Sequence, residues 1–128
     1  MTIINQRMTR GEANRKALQT PLSQVVTELQ HVLSQRVVAY TAGVNSRTLQ
    51  RWASEENEGN IRNAGAARRL RIAYEIVTLL LAYDSPYTVK AWFIGPNPDL
   101  ADESPSETIR QDRLKDALGA AGSFIALG

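Results

Sequence analysis

The amino-acid sequence predicts an all-α protein. Apolar residues recur every three to four positions in several segments, and no segment alternates apolar and polar residues as a half-buried strand would. Clusters of Pro, Gly, Ser and Asn separate these segments and supply helix starts and stops. With 128 residues, 43% of them hydrophobic, the chain can build a helical core but offers little room for a deep catalytic cleft. We expect one domain or two very small ones.

The first segment, residues 1–19, is polar and basic and lacks a sustained periodicity. We expect a disordered arm there. Thr20 and Pro21 are typical of a helix start, as cap and first-turn residue. We expect the helix that follows to pack against the next two helices and support them. Its apolar stripe consists of Leu22, Val25, Val26, Leu29 and Leu33.

The segment Gln35–Ser54 has the spacing of a helix-turn-helix, in which two short helices cross nearly at right angles. The turn needs a residue that tolerates positive φ, and Gly43 does so. Ala39, four residues earlier, leaves room for the second helix. The positions expected to point inward are Val38, Ala42, Val44, Leu49 and Trp52. With Ala39 and Gly43, all seven positions fit the motif.

The second helix of this pair is predicted to bind DNA. Asn45 can cap it, with Thr48 three residues on, so polar side chains occupy the outer face of its first turns. The predicted DNA-binding residues are Gln35, Asn45, Ser46, Arg47, Gln50 and Arg51. Arg47, Gln50 and Arg51 carry side chains that can form paired hydrogen bonds with base edges in the major groove. The other three residues are better candidates for phosphate contacts. The alternative is an ordinary helix pair whose outer residues are only solvated.

A loop is expected over Glu55–Asn60, where acidic residues, Asn and Gly interrupt the periodicity. From about Arg62 to Tyr83 the apolar residues recur at helical spacing and nearly encircle the C-terminal half, so this helix should be buried on several sides. The sequence therefore predicts a helix-turn-helix module over 20–60, a linking helix over 61–83 and a second helical module over 84–128.

Three helices are predicted in the second module. Ser85–Pro86 begins the first, which ends at the turn Gly95–Pro98. Ser104–Glu107 combines a capping box with proline at the first helical position. Asp112 can cap the last helix, although two glycines weaken it. The apolar residues of that helix are Leu114, Leu118, Phe124, Ile125 and Leu127.

The charges are unevenly distributed along the chain. Residues 1–72 carry 11 basic and five acidic side chains, a net charge of +6, and residues 73–128 carry four basic and eight acidic ones, a net charge of −4. Attraction to phosphate is therefore expected in the front half. The acidic back half is better suited to a protein partner.

The segment Ala91–Leu100, AWFIGPNPDL, followed by Pro105 and Ile109, resembles the toxin-binding domain of the Xre/MbcA/ParS antitoxins. It has that family's Trp-led apolar helix, Pro-Asn turn, Leu and proline-opened helix. Ala42–Val44 and Thr48–Trp52 are similar to the family's AGV and RW signatures in its Xre-like helix-turn-helix. The resemblance runs from the first predicted helix to the end of the chain. The long polar N-terminus and the two glycines in the last helix depart from the family pattern.

The resemblance implies a type II toxin-antitoxin module. Antitoxins of that family bind a RES-domain toxin that consumes NAD, cover its active site, and repress the shared promoter through the helix-turn-helix. The expected toxin-binding residues are Asn97, Asp99, Leu100, Phe124, Ile125 and Leu127. Trp92 and Pro105 are interpreted as structural, with partner contact as the alternative for Trp92. Acidic residues would suit the basic cleft expected of a toxin that binds a phosphorylated dinucleotide.

A free-standing transcription regulator is the alternative, because a helix-turn-helix by itself says nothing about toxins. In that case the C-terminal half would dimerise or sense a small ligand. Proteins of this class usually read two half-sites one helical turn apart, so a homodimer on operator DNA is expected in either case.

Several functional classes are not expected. The sequence has no glycine-rich phosphate loop and no Cys, and His31 is its single histidine, so we predict neither an enzyme nor a bound cofactor. The acidic residues around Asp99 lack the spacing of a calcium loop, so no metal is predicted. The absence of Cys favours the cytoplasm. The longest apolar run, Ile76–Tyr83, is too short to span a bilayer, and no membrane role is predicted.

Overall fold

A computed structural model describes residues 7–127, which form only helices and turns. The α-helices are α1 Arg10–Gln19, α2 Leu22–Leu33, α3 Gln35–Ala42, α4 Ser46–Ala53, α5 Ala64–Leu81, α6 Pro86–Ile94, α7 Pro105–Arg110 and α8 Leu114–Leu127. Short 3₁₀ helices lie at Glu58–Asn60 and Pro98–Leu100. The prediction of an all-α protein is confirmed. Over the described range, no helix combines the length and apolar character needed to cross a membrane.

The core is built around α5, which contacts α1, α2, α3, α6, α7 and α8. As predicted, this helix is buried on several sides. Its side chains Leu70 and Ile76 belong to one contiguous hydrophobic cluster that also includes Leu29 of α2, Phe93 of α6 and Ile109 of α7. The helix-turn-helix module, the linking helix and the second module predicted from the sequence therefore share one core.

The prediction of a disordered arm over residues 1–19 is wrong for Arg10–Gln19, which form α1. Thr9 caps this helix, and its Oγ1 accepts a hydrogen bond from the Glu12 N–H at 3.1 Å. Ala13 and Ala17 are buried, four residues apart on one face. Such a narrow alanine stripe gives a weak sequence signal, and the helix is stabilised by packing on α5. Residues 1–6 of the predicted arm lie outside the described range.

The junction of α1 and α2 also differs from the prediction. Thr20 ends α1, its hydroxyl donating to the Lys16 carbonyl, and Pro21 gives α2 no side-chain cap. Instead, Glu58 lies across the start of α2 and accepts a hydrogen bond from the Leu22 N–H at 2.9 Å. A carboxylate is favourable there because the helix N-terminus carries partial positive charge.

Arg71 of α5 completes this junction. Its guanidinium donates to the Glu58 carboxylate at 2.7 Å, to the Thr20 carbonyl at 2.9 Å and to the Ala17 carbonyl. The two carbonyls belong to the C-terminal end of α1, which would otherwise lack partners. One arginine therefore joins the end of α1, the start of α2 and the middle of α5.

In the C-terminal part, the predicted helix starts at Ser85 and Ser104 are confirmed. The Ser85 Oγ accepts from the Thr88 N–H at 3.2 Å, and the Ser104 Oγ accepts from the Glu107 N–H at 3.0 Å. The predicted cap at Asp112 is wrong. This residue has φ +63° and its carboxylate is ion-paired with Arg69 of α5 at 2.8 Å.

Arg71→Ala is expected to lower the free energy of unfolding by about 1–3 kcal/mol, because it leaves two helix-terminal carbonyls without their donor and removes the ion pair of Glu58. Urea unfolding followed by circular dichroism measures the change. The matched control is Arg68→Ala on the same helix, which removes an exposed side chain and should change stability by less than about 0.5 kcal/mol. Equal effects of the two substitutions would contradict the role assigned to Arg71.

Candidate functional site

The turn between α3 and α4 is closed by Gly43, whose φ of +77° places it in the left-handed region. The Val44 N–H donates to the Ala39 carbonyl at 3.0 Å and the Gly43 N–H donates to the Tyr40 carbonyl at 3.1 Å, which is the Schellman pattern of a helix end. The side chains predicted to point inward are buried at Val38, Ala39, Ala42, Leu49 and Trp52 and half-buried at Val44.

The outer face of α4 consists of Ser46, Arg47, Gln50 and Arg51, all exposed. Asn45 caps the helix as predicted, its Oδ1 accepting from the Thr48 N–H at 2.8 Å. No acidic residue occurs between Gln35 and Ser54. Within the described part of the chain, neither arginine of this face forms an ion pair, so both guanidinium groups are available to an anionic ligand.

Gln35, at the start of α3, is joined to this face. Its side-chain amide donates to the Ser46 carbonyl at 3.3 Å and to the Oε1 of Gln50. The Gln50 side chain is thereby held with its oxygen toward Gln35, which leaves its amide nitrogen free to donate elsewhere. Gln35 therefore adjoins residues 45–51, which include the other five residues predicted to bind DNA.

Arg69 of α5 contacts the end of α3 at this turn. Its Nε donates to the Ala42 carbonyl at 2.9 Å, and its Nη1 is 2.8 Å from the Asp112 carboxylate. A Cβ at position 43 would lie 3.2 Å from the Arg69 Nη2, so glycine serves both the backbone conformation and this close approach. The sequence pattern indicated the first requirement and gave no sign of the second.

A polar contact that the sequence analysis missed joins α3 to α7. The hydroxyls of Thr41 and Ser106 are hydrogen-bonded at 2.6 Å in a buried position. On the surface, the Tyr40 hydroxyl donates to the Glu107 carboxylate. Arg110 donates to the Tyr40 carbonyl at 2.6 Å and lies 4.4 Å from the centre of the Tyr40 ring. The C-terminal half therefore contacts α3 through Tyr40 and Thr41.

The structure corrects two of the predicted toxin-binding residues. Asn97 is buried, and its Oδ1 accepts from the Asp99 N–H at 2.9 Å, so its side chain shapes the turn. Leu100 is buried in the interior. Neither side chain is available for contact with a partner, whereas Asp99 on the same turn is exposed. Sequence spacing cannot distinguish a residue that shapes a turn from one that the turn presents.

The C-terminal tail of α8 is only partly covered. Leu127 is 90% exposed, whereas Ile125 and Phe124 are half-buried. The Phe124 ring packs edge-on against Trp92, with 5.9 Å between the ring centres. Trp92 is half-buried and Pro105 is buried, so both contribute to packing as expected. A hollow of about 360 Å³ beside the tail is lined by Arg7, Tyr83, Asp84, Phe124, Ile125 and Leu127.

No family profile, no characterised protein and no solved structure in our comparisons matches the chain. Among residues 7–127, no three His, Asp or Glu side chains are grouped as a metal site would need. Two surfaces are candidates for binding a partner. One is the outer face of α4, and the other is the exposed tail of α8 together with Asp99.

The pair Tyr40–Glu107 makes the α3–α7 contact sensitive to pH. The hydrogen bond to Glu107 raises the pKa of Tyr40 above its ordinary value of 10.0, with smaller contributions from partial burial and from the carboxylate charge. The same bond, and then one from Gln111, lowers the pKa of Glu107 below 4.5. The bond is strongest between a protonated tyrosine and an ionised glutamate, because it is then charge-assisted. Its contribution is therefore complete at neutral pH and is lost as the pH falls below 4.5 or rises above 10.0 through the folded-state values.

Tyr40→Phe is therefore expected to lower the melting temperature at neutral pH, and the difference from the parent should shrink toward zero in acid and in strong alkali. Thermal melts across the pH range measure it. Tyr87→Phe is the control, because the exposed Tyr87 hydroxyl has no hydrogen-bond partner within the described residues. A Tyr40→Phe effect that stays constant down to acid pH would contradict the assigned bond.

Proposed function

We propose that this protein is an antitoxin that binds operator DNA through α3 and α4 as a helix-turn-helix and neutralises a RES-domain toxin through its C-terminal half. The observation that carries the proposal is the outer face of α4. It presents two arginines, a glutamine and a serine to solvent, with no acidic side chain between residues 35 and 54. An exposed, cationic face on a helix that follows a tight turn is suited to binding in the major groove.

In this proposal α4 lies in the major groove, with Arg47, Gln50 and Arg51 at base edges. The bond from Gln35 supports this role for Gln50, because it orients the side-chain amide before DNA is bound. Asn45 and Ser46, at the N-terminus of α4, would contact phosphate, where the helix dipole favours an anion. The Asn45 Oδ1 is occupied by the cap, so its amide nitrogen is the group left for a phosphate.

The antitoxin role rests on the resemblance of the second module to the Xre/MbcA/ParS family, and the exposed tail supports it. Leu127 is solvent-exposed and adjoins the hollow beside Phe124 and Ile125, which offers apolar area to a protein partner. Asp99 and the other acidic residues of the back half would be attracted to a basic, dinucleotide-binding cleft. Asn97 and Leu100 now have a supporting role, because they form the turn that presents Asp99.

A free-standing regulator is the second candidate, and the contacts between α3 and α7 favour it. A ligand that moved α7 would act directly on α3 through Thr41 and Ser106. Both candidates use the same DNA surface. They differ in whether the product of the neighbouring gene is toxic and is bound by this protein.

Arg47→Ala is expected to weaken binding to the protein's own promoter by about 1–3 kcal/mol, the range for one good base contact, with a smaller loss on random-sequence DNA. Fluorescence anisotropy at fixed salt concentration measures both affinities. Arg68→Ala, on α5, removes the same charge outside the α3–α4 pair and should change both affinities little. Equal loss on the two DNAs would assign Arg47 to phosphate, and no binding above background would refute the DNA-binding function.

Expression of the neighbouring open reading frame is expected to arrest growth, and coexpression of this protein is expected to restore it in a complex that copurifies. Leu127→Asp should lose both rescue and copurification, because it places an unpaired charge in the apolar contact. Leu18→Asp changes an exposed leucine of α1 and should retain both. A harmless neighbour that does not copurify would refute the antitoxin role and favour the free-standing regulator.

A further inference from the structure

The hollow beside the tail of α8 lies where the described part of the chain begins. Arg7, the first described residue, is one of the residues that line it. Its guanidinium lies 4.8 Å from the centre of the Tyr83 ring, a cation–π contact that holds Arg7 against the turn after α5. Residues 1–6 therefore join the described fold at this hollow.

Helix α1 keeps this junction in place. Its first residue, Arg10, lies against α8, because a Cβ at Gly122 would be only 3.3 Å from the Arg10 Nη1. The absence of a side chain at Gly122 thus leaves room for this arginine. Further along α1, the Asn14 side-chain amide donates to the Glu75 carboxylate of α5 at 3.0 Å. The residues that directly follow the segment 1–6 are therefore held against both α5 and α8.

The segment 1–6 and the hollow are both rich in apolar groups. The sequence MTIINQ carries no charged side chain, and Met1, Ile3 and Ile4 are apolar. The tail of α8 lines the hollow with Phe124, Ile125 and Leu127, and Leu127 is 90% exposed. An extended chain advances about 3.3 Å per residue, so the two isoleucines are within about 10–14 Å of Arg7. They can reach the tail, and the burial of apolar side chains against it is favourable.

The covalent link favours this segment over a separate protein as the occupant of the hollow. A segment attached beside a binding surface is present there at an effective concentration on the order of millimolar. A separate partner has to reach the same surface from solution and gives up translational and rotational freedom when it binds. In the absence of a partner, the attached segment therefore has the advantage.

We propose that residues 1–6 fold back into the hollow and bury Ile3 and Ile4 against the tail of α8. The contact covers the apolar part of the surface that the proposed function assigns to the toxin. The segment is then an intramolecular competitor, because the toxin binds only those molecules in which the tail is uncovered. The competition rests on the proposed function, whereas the contact itself concerns this chain alone.

Disulfide trapping tests the contact in the full chain without a partner. The sequence has no Cys, so Asn5→Cys with Leu127→Cys introduces a single pair and retains both isoleucines. In dilute protein under mild oxidation, this pair is expected to form an intramolecular disulfide about tenfold faster or more than Asn5→Cys with Leu18→Cys. Leu18 is 64% exposed near the C-terminal end of α1, so the control thiol is accessible but distant from the hollow.

Thiol titration measures both rates, and non-reducing gels separate intramolecular from intermolecular disulfides. In urea the difference between the two pairs should disappear, because it depends on the folded chain. Circular dichroism melts verify that both variants fold. Equal rates for the two pairs under folding conditions would overturn the proposal.

A binding measurement tests the competition. Ile3→Ser with Ile4→Ser is expected to raise the affinity for the purified product of the neighbouring gene about fivefold or more, which corresponds to a hollow covered in at least about four-fifths of the molecules. Asn5→Ser with Gln6→Ser changes the same segment without removing apolar side chains and should leave the affinity as it is. Isothermal titration calorimetry measures all three proteins.

The two experiments separate this inference from the proposed function. An unchanged or weaker affinity of the Ile3→Ser, Ile4→Ser variant would overturn the competition. A neighbouring product that binds neither the parent chain nor this variant would refute the antitoxin role, and fast trapping of the Asn5–Leu127 pair would still establish the contact.

Discussion

The structure depends on the burial of α5, because this helix packs against α1, α2, α3, α6, α7 and α8. Helices that end against it leave carbonyl groups without helical partners. Two arginines of α5 satisfy such groups: Arg69 donates to the Ala42 carbonyl at the end of α3, and Arg71 donates to the Ala17 and Thr20 carbonyls at the end of α1. Positive charge is favourable at these helix ends, so electrostatics and hydrogen bonding act together.

Local features of the fold were predictable from the sequence, and those that depend on distant residues were not. Ser85, Ser104 and Asn45 are caps because a short polar side chain can reach an amide two or three positions on, which sequence spacing reveals. Glu58 supports the start of α2 from 36 residues away in sequence, and no local pattern predicts such a contact. Helix α1 was missed because its buried face consists of alanines and is stabilised by α5.

The same distinction applies to the candidate site. Once Asn45 is the cap, helical geometry determines that Arg47, Gln50 and Arg51 share an exposed face, so this set was predictable. Burial at the Asn97–Leu100 turn depends on tertiary packing, including the contact of α8 with the 3₁₀ helix, and the sequence motif contains no information about that packing. A motif residue that shapes a turn and one that contacts a partner look alike in sequence.

Helix α3 connects the proposed functions physically. The Thr41 hydroxyl donates to the Val37 carbonyl of its own helix and accepts from the buried Ser106 hydroxyl, so separating α3 from α7 breaks the Ser106 bond at a cost of about 1 kcal/mol. Arg69 adds a second link, because it donates both to the Ala42 carbonyl at the end of α3 and to the Asp112 carboxylate before α8. The C-terminal half and the α3–α4 pair are therefore held as one unit. In the proposed function, a partner that displaces α7 has to break these bonds, and it thereby alters the support of the helix that positions α4.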